Sequence, residues 1–145
     1  MSTKIVVGLD GSGTSSRAVA YAQKIASLIG ECELILVYVV EWSPFTFQTP
    51  EENAERHKRR EEEIKMAMDR VVTPTVEAAR KAGHAARGIV RHGDVADLLD
   101  GIAVEEGASQ IVVARTSESG IKQRIFGSST ANLVMHASVP VTVVG

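Results

Sequence analysis

The segment from Leu34 to Val40 constrains the fold most strongly, because it is an uninterrupted apolar run of strand length. A strand covered on one face alternates apolar with polar residues, whereas a continuous run is typical of a strand buried on both faces. The run follows a shorter one over residues 4–9 and a stretch with helical spacing of apolar residues that ends at Gly30. This strand–helix–strand order with a buried second strand predicts parallel pairing through a right-handed crossover.

The same alternation continues to the end of the chain. Further strands are predicted over residues 85–91, 110–114 and 139–144, and further helices over residues 50–83, over residues 95–103 and from Ser128 onward. Pro74 interrupts the longest helix and predicts a kink or break near Thr73. The chain is therefore expected to form a single doubly wound α/β domain over residues 1–145, with a five-stranded parallel sheet flanked by about four helices.

The composition argues against several classes of function. Among the 145 residues, 16 basic side chains are balanced by 18 acidic ones, a net charge of −2, which disfavours nucleic-acid binding through bulk electrostatics. No apolar run has membrane-spanning length, and residues 1–4 lead straight into the first strand without the pattern of a signal peptide. We therefore expect a cytoplasmic protein that does not insert into a membrane.

Residues that carry thiol or metal chemistry are sparse. Cys32 lies between Glu31 and Glu33, whose charges disfavour a thiolate, so a catalytic thiol is not expected. The histidines are scattered over different predicted elements, at His57, His84, His92 and His136. No metal site is therefore predicted, and His92, at the edge where a ligand would bind, is expected to be exposed to solvent.

Ligands of open parallel sheets bind beyond the carboxyl ends of the strands, where the strand order reverses. Two loops at that edge carry residues suited to a nucleotide. Asp10 directly follows the first strand, where its carboxylate can accept hydrogen bonds from ribose or adenine, or can cap the following helix. The loop after the fourth strand contributes the cations Arg115, Lys122 and Arg124.

The segment Gly127-Ser128-Ser129-Thr130, at the start of the last predicted helix, has two interpretations. The N–H groups of a helix N-terminus are unsatisfied and partly positive, so a glycine and three hydroxyls there suit a phosphate. Serine and threonine are also the preferred N-cap residues in the absence of any ligand. The position at the crevice favours phosphate, although the P-loop and Gly-x-Gly-x-x-Gly signatures are absent from the sequence.

Three segments together resemble the universal stress protein family, and the resemblance covers the whole chain. They are the opening Ile5-Val6-Val7-Gly8-Leu9-Asp10-Gly11-Ser12, the strand end Tyr38-Val39-Val40 and the close from Gly127 to Val144. The resemblance implies a homodimer, which in this family often pairs through the fifth strand, here from Val139 to Val144. It also implies membership of one of two branches, of which one binds ATP and the other does not.

The ATP-binding branch carries G-x2-G-x9-G-[ST] after the fourth strand and an aspartate after the first. Aligned from its last glycine, this motif falls on Ala114, Ser117 and Gly127, with Ser128 as the hydroxyl. Alanine at position 114 is a small change if φ is negative there, whereas Ser117 matters more if the backbone must touch a phosphate. The nucleotide-binding residues expected on this basis are Gly8, Leu9, Asp10, Val39, Val113, Ala114, Arg115, Ser117, Gly127, Ser128, Ser129 and Thr130.

The function that the resemblance implies is a stress-response module that binds ATP, or AMP or ADP, with or without Mg, and acts as a switch. Asp10 and Val39 would hold the nucleoside, and residues 114–117 and 127–130 the phosphates. No catalytic residue is expected, and at most weak ATPase activity, because the sequence shows no general base or acidic metal pair near the crevice.

The alternative is a dimeric family member that binds no nucleotide and acts through a protein partner, which Ala114 and Ser117 in place of motif glycines and the acidic Glu118 favour. The aromatic residues of the loop after the second strand are Trp42, Phe45 and Phe47. They are expected to form either a lid packed over the crevice or onto the second helix, or a patch for that partner. Residues 51–63 carry mixed charges at helical spacing and are expected to form a solvated helix face.

Overall fold

The computed structural model describes residues 2–10, 15–41, 49–115 and 128–145, in which strands and helices alternate. The strands are β1 Thr3–Leu9, β2 Cys32–Glu41, β3 Ala85–Gly93, β4 Gln110–Ala114 and β5 Val141–Val144. The helices are α1 Ser15–Ile29, α2 Pro50–Ala67, α3 Thr73–Lys81, α4 Val95–Glu106 and α5 Ser128–His136. A π-helical segment, Met68–Val72, joins α2 to α3, so that α2, this segment and α3 form one continuous helical run.

The strands form one sheet in the order β3-β2-β1-β4-β5, and every neighbouring pair is parallel. α1, the π segment and α3 pack on one face of the sheet, and α4 and α5 pack on the other. The predicted doubly wound α/β fold is confirmed. Its last strand begins at Val141 rather than at Val139.

β2 is buried on both faces, as its uninterrupted apolar sequence predicts. Leu34 and Leu36 contribute to the core on the α1 side, while Ile35 and Val37 contribute to the core on the α4 side. All four side chains are fully buried. Burial of this kind is the main favourable term in folding, and here it holds both helical layers to the central strands.

Pro74 is accommodated by a change of helical pitch and not by a break in the chain. Proline has no N–H, and its ring clashes with the carbonyl oxygen that lies four residues earlier in an α-helix. Just before Pro74, the Thr73 N–H donates to the carbonyl of Met68, five residues back, which is the π-helical pattern. The wider π turn therefore lies where the sequence predicts a kink or break.

A group of charged side chains joins β1, β2, β3 and α4 at the amino edge of the sheet. Arg87 Nε donates to Glu33 Oε1 at 3.1 Å, and a second Arg87 nitrogen donates to Glu106. Lys4 Nζ lies 3.5 Å from the same Glu106 oxygen. The hydrogen bond from Arg87 is the main cause that lowers the pKa of Glu106 below its usual value. These ion pairs connect the end of α4 to the edge opposite the carboxyl ends of the strands.

Candidate functional site

The strand order reverses between β1 and β4, which pair in parallel with Val7 opposite Val112. From β1 the chain continues toward β2, and from β4 it continues toward β5, on the other side of the sheet. In folds of this kind a crevice opens outside the carboxyl ends of the two strands. Asp10 and Arg115 directly follow these strands, and both are exposed at the rim of the crevice.

The end of β1 is packed too tightly for a side chain at Gly8. A Cβ there would lie 3.0 Å from Val113 Cγ1 and 3.2 Å from Leu99 Cδ1. Leu9 is buried next to it, while Asp10 is exposed. Gly8 therefore lets β1, β4 and α4 approach closely beneath the crevice, and Asp10 is the first polar side chain above this packed layer.

The end of β4 tolerates the alanine that replaces a motif glycine. No non-glycine residue in the described ranges has a positive φ, so Ala114 holds an ordinary strand conformation. Because φ at position 114 is negative, replacing the motif glycine by alanine is a small change there. Val113 and Ala114 are both buried, and the Arg115 N–H donates to the Val144 carbonyl at 2.8 Å, which extends the pairing of β4 with β5.

The first turn of α5 is tied to the end of β4 by Thr130. Its hydroxyl donates to the Ala114 carbonyl at 3.2 Å. Ser128 is exposed, and Ser129 is half-buried. Because the Thr130 proton is used inside the protein, Ser128 and Ser129 are better placed than Thr130 to donate a hydroxyl proton to an anion.

The helices that begin at the carboxyl edge of the sheet differ in the charge of their first turns. α2 carries Glu51 and Glu52, and its N-cap Thr49 accepts from the Glu52 N–H at 3.1 Å in a capping box. α4 is capped by Asp94, which accepts from the Asp97 N–H at 3.0 Å. α1 and α5, which follow β1 and β4, have no acidic residue within the first turns that the structure describes. The described first turns of α1 and α5 therefore lack the carboxylates with which α2 and α4 offset the partial positive charge of a helix N-terminus.

Val39 lies near the carboxyl end of β2, and its side chain belongs to the core on the α4 side. Only its backbone groups are therefore suited to contact a ligand. Two further predicted binding residues, Ser117 and Gly127, lie outside the described residues. The same holds for Trp42, Phe45, Phe47, Glu118, Lys122 and Arg124.

The expectation that His92 is exposed to solvent is wrong, because it is half-buried at the end of β3. Burial, followed by the positive charges of Arg60 and Arg56, lowers its pKa below the ordinary histidine value. Cys32 is buried, and burial, followed by the charge of Glu33, raises the pKa of its thiol, in keeping with the expectation of an unreactive cysteine.

Searches of the described ranges for a metal centre and a membrane span gave no candidate. No cluster of at least three histidine, cysteine, aspartate or glutamate side chains within these ranges is arranged to bind a metal ion. None of the helices described there combines the length and the apolar character that crossing a bilayer requires.

Sequence reasoning missed the serines at the start of α1. Ser15 and Ser16 begin that helix beside the end of β1, and Ser15 is buried although it is polar. The signal that could have found them is the contrast between this acid-free start and the acid-rich start of α2, which is visible in the sequence.

The model of the universal stress protein family matches residues 1–145. This chain belongs to the universal stress protein family. The search of curated proteins found no significant match. The family model covers the whole chain, and it thus includes both the described ranges and the residues between them.

Solved structures of universal stress proteins share this fold. UspA from Lactobacillus plantarum is 22% identical, with 99% of this chain and 97% of that chain covered and a TM-score of 0.84. A universal stress protein in complex with cAMP is 26% identical over 99% and 97% of the two chains, with a TM-score of 0.65. The protein from Archaeoglobus fulgidus in complex with dAMP is 20% identical over 99% and 98%, with a TM-score of 0.63.

Proposed function

We propose that this universal stress protein binds an adenine nucleotide in the crevice at the carboxyl ends of β1 and β4. The observation that carries the proposal is the pair of acid-free helix N-termini, those of α1 and α5, on either side of the strand-order reversal. Two structural relatives were solved in complex with cAMP and dAMP, which supports an adenine nucleotide as the ligand. We propose ATP, or AMP or ADP, with or without Mg, as the physiological form.

The roles that we propose follow from the chemistry at the rim. Asp10 accepts hydrogen bonds from the ribose or the adenine, and the backbone of Val39 contacts the base. Arg115, with the N–H groups and serine hydroxyls at the start of α5, binds the phosphates. Ser117 and Gly127 complete the phosphate site in this proposal.

We also propose that the protein is a binding module with at most weak ATPase activity, and that it works as a switch in a cytoplasmic stress response. The proposed phosphate-binding groups are N–H groups, hydroxyls and a guanidinium, which donate hydrogen bonds but do not abstract protons at neutral pH. Such groups hold an anion without activating a nucleophile. Binding would then shift the protein between populations of states that present different surfaces.

Calorimetric titration with AMP and ATP, with and without Mg, tests the proposal. We expect binding by the wild type, and a loss of affinity of about tenfold, or 1.4 kcal/mol, for both Asp10→Asn and Arg115→Gln, because each removes a charged hydrogen-bonding partner. Arg115→Gln should weaken ATP more than AMP. Glu105→Gln, an exposed residue near the far end of α4, is the control that should bind like the wild type.

Absence of binding at millimolar nucleotide would contradict the proposal and would favour the alternative, a member that acts through a protein partner. Equal affinities for the wild type and both rim variants would place the nucleotide elsewhere on the protein. Trp42→Ala then becomes the informative change, because the alternative expects it to impair function in cells.

We propose that the protein is a homodimer that pairs through the edge strand β5. The carbonyl of Pro140 accepts a hydrogen bond from the Ile111 N–H, and the carbonyl of Val144 accepts one from the Arg115 N–H. Because the backbone groups of successive strand residues point to alternate sides, those of Val141 and Val143 point to the outer edge of the sheet. No other strand in the described ranges pairs with that edge. An unpaired edge of this kind favours pairing with a second chain.

Val143→Pro should convert a dimer of this kind to a monomer. Proline removes the outward N–H and blocks a neighbouring strand, while the inward hydrogen bonds of β5 to β4 are kept. Light scattering coupled to size-exclusion chromatography measures the outcome, and Val143→Ala, which keeps the N–H, should remain dimeric. A wild type that runs as a monomer, or a proline variant that remains a dimer, would contradict this interface.

A further inference from the structure

The amino-terminal part of α2 rests on the sheet through two arginines. Between Pro50 and Glu63 every residue is exposed except Arg56 and Arg60, which are half-buried. These two positions continue a stripe at helical spacing that includes the half-buried Ile64 and the buried Ala67. The inner face of α2 therefore changes from apolar to cationic as the helix approaches the carboxyl edge of the sheet. The expectation of a fully solvated face holds for the rest of residues 51–63.

His92 lies on β3 beneath these arginines. It pairs in register with Val40 of β2, and by strand alternation it shares the face of Val90, which contributes to the core on the α1 side. The Nδ1 atom of His92 and the Nε atom of Arg60 are both excluded from solvent. Polar atoms that are excluded from solvent therefore lie both on the inner face of α2 and at the end of β3.

The charges around His92 are mainly positive. Arg60 and Arg56 oppose protonation of its imidazole, and Glu63 is the one acidic group that favours it. All three lie on α2. Tyr38 lies on the same face of the neighbouring strand, and Arg91 on β3 itself points to the opposite face. A proton on His92 would therefore add a third positive charge beside two half-buried arginines, whose combined effect opposes it.

We propose that His92 is a pH-responsive latch: its neutral imidazole lets the amino-terminal half of α2 dock on β3, and its protonation releases that half of the helix. The released imidazole is solvated and protonates more readily than the docked one. Proton binding therefore favours release, and docking weakens as the pH falls below the ordinary histidine pKa. Apolar contacts of Met68, Val71 and Val72 with the core keep the rest of the helical run in place.

Hydrogen exchange of the full-length protein, read for peptides of α2 at about pH 7.5 and about pH 5.5 and corrected for intrinsic rates, tests the latch. In the wild type we expect the protection of residues 50–63 to fall in acid by up to about tenfold per pH unit below the ordinary histidine pKa. Peptides of α4 should show no such change. In the His92→Gln variant the protection of residues 50–63 should no longer depend on pH, whether that protection is higher or lower than in the wild type.

His57→Gln is the matched control, because His57 lies on the same helix with 74% of its side chain exposed. This variant should keep the pH dependence of the wild type. Arg60→Gln, which removes a repelling charge, should raise the pKa of His92 measured from its ring proton signals in NMR and reduce the effect on exchange. Equal protection of α2 at both pH values in the wild type would overturn the proposal, and so would a pH dependence that survives in His92→Gln.

Discussion

Replacing Gly88 by alanine is expected to lower the free energy of unfolding by about 1–3 kcal/mol, the usual cost of overpacking a filled core. Gly88 lies on β3 opposite Leu36, under the π segment that joins α2 to α3. A Cβ at this position would collide with Cγ1 of Val72 and would lie 3.2 Å from Cγ2 of Val76. Val72 is fully buried and β-branched, so it cannot turn away without strain.

Gly101→Ala is the matched control for this change. Gly101 lies within α4, and a Cβ added there meets nothing within 4 Å. Alanine should stabilise this helix by about 0.5–1 kcal/mol, because glycine is the weaker helix former. Urea unfolding curves of the two variants should therefore move in opposite directions from the wild type. Curves that shift together would show that the contact between Val72 and Gly88 is looser than the structure indicates.

Replacing Leu99 by alanine is expected to cost about 2–5 kcal/mol of unfolding free energy, the range for truncating a buried leucine. Leu99 is 2% exposed on the inner face of α4, and its Cδ1 packs against the Gly8 position beneath the crevice. The change would leave a cavity under the carboxyl ends of β1 and β4. Nucleotide affinity should fall as well, because the strand ends that present Asp10 and Arg115 lose their support.

Val104→Ala separates this effect from a general weakening of α4. Val104 lies on the same helix with 57% of its surface exposed, so its truncation should change stability by no more than about 0.5 kcal/mol. Thermal and urea unfolding, together with calorimetric titration of ATP, give both readouts. A Leu99→Ala protein as stable as Val104→Ala would mean that the core beneath the crevice can close around the lost side chain.

The elements that the sequence predicted well are those whose pattern is local. The uninterrupted run from Leu34 to Val40 indicates burial on both faces, and together with the strand–helix–strand order it predicts the parallel sheet around β2. Gly30 and Gly83 end their helices as predicted, because each has a positive φ that other residues rarely adopt. The position of Asp10 after β1 follows from the same pattern.

Features that depend on contacts distant in sequence could not be predicted in this way. Gly88 is required because Val72, on another element, packs against it, and neither residue signals this alone. His92 lies at a strand end, which suggests exposure, but α2 covers it. The hydroxyl of Thr130, on α5, donates a hydrogen bond to the carbonyl of Ala114, at the end of β4. In each case the residue's environment is determined by a contact with another element, and the local sequence pattern does not predict which elements are in contact.

The central claim, that an adenine nucleotide binds where β1 and β4 end, is tested most directly by titrating isotope-labelled protein with ATP and following backbone amide signals by NMR. The largest shifts should fall on Leu9 and Asp10, on Val113 to Arg115 and on Ser128 to Thr130, because these amides surround the crevice. Signals of β3 and of the amino edge around Arg87 should stay in place. Saturable shifts that leave the crevice amides unchanged, or no shifts at millimolar ATP, would contradict the account.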